Sequence, residues 1–184
     1  MEYQTISETF FTTVFDQVRR RVEAYGIRVT TDILPWPDNA QFNGADIILD
    51  ERLAPDVRLY TLLHLFGHNV QWSTNAEMQR VGTSLKFGEL NPEDEEALRG
   101  YERQATEMAL WLLHENGVIE LDQWLTDIWH WDFEYIAGVF SSGVYEPQHT
   151  FDYEKIPTGQ PLLTPQPIPA DFIPYRFEEG RAAN

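Results

Sequence analysis

The chain has 184 residues, of which 42% are apolar and 14% aromatic, enough for one sizeable hydrophobic core but not for two. Thirteen basic residues against 30 acidic ones give a net charge of -17, which repels phosphate backbones and anionic lipid surfaces. The sequence therefore predicts neither a nucleic-acid nor a membrane partner, and the absence of cysteine excludes disulfides and thiolate metal sites.

A strongly amphipathic helix is predicted first. Ser7 is suited to cap it, Gly26 can end it in a left-handed turn, and apolar side chains recur between them at helical spacing. Residues 27–34 and 45–49 are rich in β-branched and other apolar side chains, and they flank a turn-like stretch. These segments predict two or three short strands, enough for a small sheet.

Three more helices are predicted downstream. Residues 55–74 begin with Pro55, which suits a first helical turn, and are apolar around most of the helical wheel, as in a central helix packed on several sides. Pro92 and the acidic residues 93–96 mark the start of the next helix, which runs to Gly117. Residues 118–138 are typical of a further helix with a break.

The proline distribution predicts two parts, a domain over residues 1–143 and a proline-rich C-terminal arm over residues 144–184. Seven of the eleven prolines lie within residues 147–174, which excludes long helices there. Apolar side chains in the arm predict that it packs on the domain: Leu162, Leu163, Ile168, Phe172, Ile173 and Phe177. Residues 1–9 are polar and acidic, and no apolar run is long enough to cross a bilayer, so we expect a soluble, cytoplasmic protein.

His64 and His68 are the first candidate metal ligands. A spacing of four residues on a helix places both imidazoles on one side, within reach of one ion. Such a pair is a weak signal by itself, since the alternative is two core or surface histidines with local hydrogen bonds. A third ligand is needed to favour a metal site.

Glu102 is the candidate third ligand. On the wheel of the later helix it falls within the apolar arc that includes Leu98 and Ala105, whereas Glu107 points nearly opposite. A carboxylate carried into a core is rare unless it is paired or binds a metal, because a lone charge is costly to desolvate. The alternative is an ion pair between Glu102 and Arg99 or Arg103.

Residues 44–113 resemble the ImmA/IrrE-like zinc peptidases of bacteria and phages. That family has the pattern T-L-x-H-E-x-G-H followed by E-x-x-A-x-x-x-A-x-x-L-L. The matching positions here are Thr61, Leu62, His64, Gly67, His68, Glu102, Ala105, Ala109, Leu112 and Leu113. The resemblance implies one zinc ion per chain held by His64, His68 and Glu102, in a zincin-like α+β fold with a small sheet beside the metal-binding helix.

One position departs from the family pattern. The family has its catalytic glutamate directly after the first histidine, where this chain has Leu65, which can neither accept nor return a proton. We therefore expect a degenerate metallopeptidase-like protein with weak or no peptidase activity, whose ion serves structure or the binding of a peptide or protein ligand. The catalytic residues and the oligomeric state stay open.

Several alternatives remain at this point. An active zinc hydrolase would need a base from elsewhere, and Asp50, Glu77 and Glu107 are candidates, although no spacing places them at the site. Two histidines and one carboxylate also form the facial triad of non-haem iron oxygenases. A metal-free interaction domain is the third alternative.

Aromatic and further histidine side chains near these motifs have two interpretations. Tyr60 or Tyr101 could donate to an oxyanion, but core packing explains each of them, as it does Trp72 and Trp111. His114 and His130 are expected in surface or packing roles. The segment IWHWDFEY, with His130, Asp132 and Glu134, is either a pocket wall beside the site or an aromatic core.

Overall fold

The computed structural model describes residues 6–35, 37–145 and 149–176. The elements in these ranges are α1 (Glu8–Ala24), β1 (Arg28–Asp32), β2 (Ala40–Phe42), β3 (Asp46–Asp50), α2 (Pro55–Thr74), α3 (Ala76–Ser84), α4 (Pro92–Glu115) and α5 (Asp122–Ser142). A mainly helical chain with a small sheet confirms the predicted α+β class. Within the described ranges, no helix combines the length and apolar character that crossing a bilayer requires.

The sheet has three strands in the order β1-β3-β2. Strand β1 pairs with β3 in parallel and β2 pairs with it antiparallel, so that both Val29 and Phe42 lie opposite Ile47. Ile47 is fully buried, and the side-chain amide of Asn69 in α2 donates to the carbonyl oxygen of Gly44, just before β3, at 3.0 Å. The sheet therefore lies beside the central helix, as predicted.

Helix α1 forms where the sequence predicts it. The Ser7 hydroxyl accepts a hydrogen bond from the backbone N–H of Phe10 at 3.2 Å, and Gly26 follows the helix with a φ of +92°. One face is buried and packs against α2, through Phe11, Val14, Phe15, Val18 and Val22.

Helices α2 and α4 form the centre of the molecule. Helix α2 is buried on most sides, which explains the nearly continuous apolar character of its sequence. Asn91 caps α4 by accepting hydrogen bonds from the backbone N–H groups of Glu93 and Asp94. The two helices make the most extensive helix–helix contact in the described chain, and this contact positions the candidate site.

Two features of the helical prediction need correction. Helix α3 was not predicted. One residue, Asn75, separates it from α2, and the Asn75 side chain caps α3 by accepting hydrogen bonds from the backbone N–H groups of Glu77 and Met78. The predicted break in the last helix is wrong, because α5 is continuous to Ser142. The helix begins at Asp122, after the predicted start at residue 118, and continues past Gly138, its predicted end.

The described part of the arm, residues 149–176, lies against the helices. The backbone N–H groups of Gly159 and Gln160 donate to the Asp127 carboxylate of α5 at 2.9 and 2.8 Å. Of the six apolar residues singled out in the arm, Leu163 and Phe172 are buried, Ile168 is partly buried, and Leu162 and Ile173 are exposed. Phe177 lies outside the described residues.

Candidate metal centre

The structure brings His64, His68 and Glu102 together. The two histidines lie one turn apart on α2, and Glu102 lies on the face of α4 that packs against α2. Gly67 makes this approach possible, since a Cβ at that position would collide with the backbone of Ala105 in α4. The sequence spacing thus becomes a cluster at the point where the two helices cross.

Three donor atoms of this cluster form a small triangle. His64 Nε2 and His68 Nε2 are 3.0 Å apart, and Glu102 Oε2 is 3.6 Å from the former and 3.2 Å from the latter. In tetrahedral zinc sites with bonds of about 2.0–2.1 Å, neighbouring donor atoms are about 3.3 Å apart. The three distances scatter around that value, and no fourth His, Asp or Glu joins the group among the described residues.

Two polar atoms of the cluster lack a hydrogen-bond partner. Glu102 Oε2 and His64 Nδ1 are buried and have no hydrogen-bond partner within the described chain. Leaving a buried acceptor unpaired is costly, and the cost is larger for a charged group. A cation between the three donors would compensate for it at Glu102.

Gln71 fixes the orientation of the His68 ring. Its side-chain oxygen lies 2.9 Å from His68 Nδ1 and accepts the N–H there, so that Nε2 is the ring nitrogen that faces His64 and Glu102. The Gln71 amide group in turn donates to the Tyr101 carbonyl oxygen at 2.8 Å and to Gln104 Oε1 at 3.0 Å. When the ring is neutral, this hydrogen bond leaves the Nε2 lone pair available to a metal ion.

The local electrostatics favour the protonation states of metal ligands. Burial, together with the charge of His68, lowers the pKa of His64 to about 4, so that imidazole is neutral at pH 7. Burial alone would raise the pKa of Glu102, but the charge and the hydrogen bond that His68 offers when it is protonated, followed by the charge of a protonated His64, outweigh burial and lower this pKa. Neutral imidazole beside an ionised carboxylate is the form that binds a divalent cation.

The alternative partners of Glu102 are engaged elsewhere. Arg99 binds Glu95 at 3.3 Å and Arg103 binds Glu107 at 2.9 Å, both along the surface of α4. The expected alternative, an ion pair of Glu102 with either arginine, is therefore not what the structure shows.

The three acids considered as replacement bases are paired with other residues, and Leu65 contributes to the core. Leu65 is buried in the hydrophobic core. Asp50 accepts hydrogen bonds from Arg52, Glu77 binds Arg80, and Glu107 binds Arg103. None of the three carboxylates belongs to the group of donor atoms around His64.

Asp132 of α5 is the acidic residue that the search for a replacement base missed. It accepts a hydrogen bond of 2.5 Å from the Tyr60 hydroxyl, and the Tyr60 ring packs against the His64 ring with centroids 5.6 Å apart. Burial raises the pKa of Asp132 to about 7 against the lowering effect of the Tyr60 hydrogen bond, and the negative charge of Glu102 raises it further. The signal in the sequence that could have indicated this residue is its position between two aromatic residues, Trp131 and Phe133.

The other residues singled out in the sequence have packing or surface positions. Tyr101 stacks on the His68 ring with centroids 4.4 Å apart and accepts a hydrogen bond from the Trp72 indole. Trp111 donates to Glu115 at the surface. His114 lies 2.8 Å from Asp122, and His130 packs edge-on against Trp129.

A separate open cavity of about 330 Å³ lies between α3 and α4. None of the three clustered residues lines it, but Gln104 does, and Gln104 contacts Gln71. Gln104 therefore lines the cavity and also contacts Gln71, whose side-chain oxygen lies 2.9 Å from His68 Nδ1.

The chain matches no protein-family model, no curated protein and no solved structure. None of these comparisons bears on the resemblance to ImmA/IrrE-like peptidases, which rests on the motifs quoted above. The cluster itself rests on the geometry of His64, His68 and Glu102.

Proposed function

We propose that this protein binds one zinc ion per chain through His64, His68 and Glu102. The observation that carries this proposal is the triangle of donor atoms with sides of 3.0, 3.2 and 3.6 Å. Imidazole nitrogen and carboxylate oxygen suit zinc, and a site with three protein ligands keeps a position open for another molecule. A zinc ion held there would supply a Lewis acid.

The kind of protein we propose is metallopeptidase-like, with weak or no activity by the usual peptidase route. The family resemblance supports the scaffold, and Leu65 removes the usual proton acceptor. General acid–base catalysis typically contributes a factor of about 10²–10⁴, so its loss would slow hydrolysis severely while leaving metal ligation intact. The ion would then serve structure or the binding of a peptide or protein ligand.

The competing metal-free interpretation is less well supported. It would leave the buried carboxylate oxygen of Glu102, which makes no hydrogen bond within the described chain, to be compensated only by a protonated His68 3.2 Å away, whereas a cation would engage all three donor atoms. The iron alternative uses the same ligands and is separated from zinc by elemental analysis of protein expressed without added metal.

Metal content of matched histidine variants tests the proposal. We expect about one zinc per chain in the wild-type protein and none after His64→Ala and His68→Ala together. The control carries His114→Ala and His130→Ala, which remove two histidines outside the cluster and should leave the zinc content unchanged. Full zinc content in the first double variant would contradict the proposed site.

A further inference from the structure

Because Leu65 cannot accept a proton, a base for hydrolysis would have to reach the cluster from another helix. Asp132 does so from α5, 72 residues away from Tyr60 in sequence but hydrogen-bonded to it. Tyr60 lies one helical turn before His64 on α2, and their rings are in contact. A carboxylate is thereby fixed beside the cluster, on the side of His64.

This side of the cluster is also the more accessible one. The His64 side chain is 16% exposed, whereas those of His68 and Glu102 are 6% and 7% exposed. Asp132 is itself only partly buried. His64 is therefore the most exposed member of the cluster, and Tyr60 and Asp132 lie on its side.

Asp132 is held in place by a hydrogen bond, and no basic side chain among the described residues forms an ion pair with it. Tyr60 donates its hydrogen bond to one carboxylate oxygen, Oδ2, and Phe151 packs edge-on against the Tyr60 ring with centroids 5.6 Å apart. Trp131 packs against the same Phe151.

We propose that Asp132, positioned by Tyr60, takes the acid–base role that Leu65 cannot fill, in the hydrolysis of peptide bonds. The carboxylate accepts a proton from water as the water oxygen bonds to the amide carbonyl carbon. The C–N bond then breaks, and the same proton passes to the leaving nitrogen, so that a carboxylic acid and an amine are released and the Asp132 carboxylate is restored. This inference rests on the proposed metal site.

A double-variant comparison in two backgrounds tests the role of Asp132. The zinc-loaded wild-type protein, Asp132→Asn, Leu65→Glu and the double variant are assayed with a mixture of quenched fluorescent peptides. We expect Asp132→Asn to lower kcat about 10²-fold or more with little change in KM. In the Leu65→Glu background, where a glutamate stands at the usual position, the same change should cost far less.

Further variants separate proton transfer from a structural effect. Asp132→Glu keeps a proton acceptor and should retain more activity than Asp132→Asn, a comparison that does not depend on whether Leu65→Glu folds. Glu134→Gln removes an exposed carboxylate of the same helix and should change nothing. The visible absorption of the cobalt-loaded protein should be the same in wild type and Asp132→Asn, since Asp132 is not one of the three proposed metal ligands.

Two results would contradict the role of Asp132 without contradicting the proposed metal site. One is an absence of zinc-dependent peptide hydrolysis in a wild-type protein that binds zinc. The other is an equal loss of kcat from Asp132→Asn in both backgrounds. Failure of the wild-type protein to bind zinc would instead overturn the proposed function and this inference together.

Discussion

Gly67 of α2 crosses Ala105 of α4 so closely that a Cβ at residue 67 would lie 2.2 Å from the carbonyl oxygen of Ala105. The crossing point lies next to His68 on one helix and three residues from Glu102 on the other. The spacing of the helices at this point therefore sets the distance between the imidazoles and the carboxylate.

Gly67→Ala should weaken folding and metal binding together. The added methyl group must push α2 and α4 apart, and such overpacking typically costs about 1–3 kcal/mol. Separation of the helices also carries Glu102 away from the histidines, so zinc affinity should fall, as measured by competition with a chelating dye.

Gly100→Ala is the matched control for this change. Gly100 lies within the same helix α4, and an added Cβ would meet nothing within 4 Å. The helix should gain about 0.5–1 kcal/mol from the better propensity of alanine, with unchanged zinc affinity. Equal zinc affinity in both glycine variants would contradict the role assigned to the crossing.

Gln71→Leu should reduce zinc affinity without removing a ligand. The substitution deletes the oxygen that accepts from His68 Nδ1, and loss of such a supporting hydrogen bond typically costs about 10–100-fold in affinity. Gln123→Leu, which removes an amide that binds Asp127 and the arm, is the control and should bind zinc normally. Wild-type affinity in Gln71→Leu would show that the ring is oriented by packing alone.

Sequence reasoning was strongest where local signals agreed. Helix α1 begins at its predicted cap, Ser7, and α2 occupies residues 55–74 as predicted. The helical wheel of α4 placed Glu102 inward and Glu107 outward, and the structure has Glu102 buried and Glu107 paired with Arg103. Periodicity depends on one helix at a time, so a single sequence contains this information.

The features that were missed depend on contacts between distant segments. Asp132 becomes notable only because α5 brings it to Tyr60 of α2, and no periodicity in α5 contains that contact. Helix α3 is short, nine residues, and its only buried residue is Val81, so its apolar pattern is weak. The break predicted in the last helix does not occur, and the buried side chains of Trp124 and Phe133 belong to one continuous helix, α5.

Asp132 should make the stability of the zinc-free protein depend on pH. Its folded-state pKa of about 7 lies above its usual value of 3.8, so its contribution to stability is fully present below about pH 4 and is lost as the pH rises through 7. Asp132→Asn lacks this loss and should become more stable than wild type by up to a few kcal/mol, since one pKa unit corresponds to about 1.4 kcal/mol.

Urea unfolding at pH 4, 5.5, 7 and 8 in the presence of a chelator measures this difference. Asp16→Asn, which changes an exposed aspartate of α1, is the control and should show no comparable trend. A constant difference between Asp132→Asn and wild type at all four pH values would show that Asp132 titrates normally.

Zinc should raise the free energy of unfolding, because the donor triangle exists only in the folded chain. A site that binds the folded state alone adds about 2.7 kcal/mol at a free ligand concentration 100 times the Kd. Magnesium, which prefers oxygen ligands in octahedral geometry, should add far less. Thermal unfolding with each ion measures the effect, and equal shifts with both ions would point to nonspecific binding by the acidic surface.

The most direct measurement is the anomalous diffraction signal at the zinc edge from crystals of protein loaded with one equivalent of zinc. The proposed site predicts one strong peak bonded by the Nε2 atoms of His64 and His68 and by a carboxylate oxygen of Glu102. A peak elsewhere, or no peak with the two imidazoles rotated away from Glu102, would contradict it.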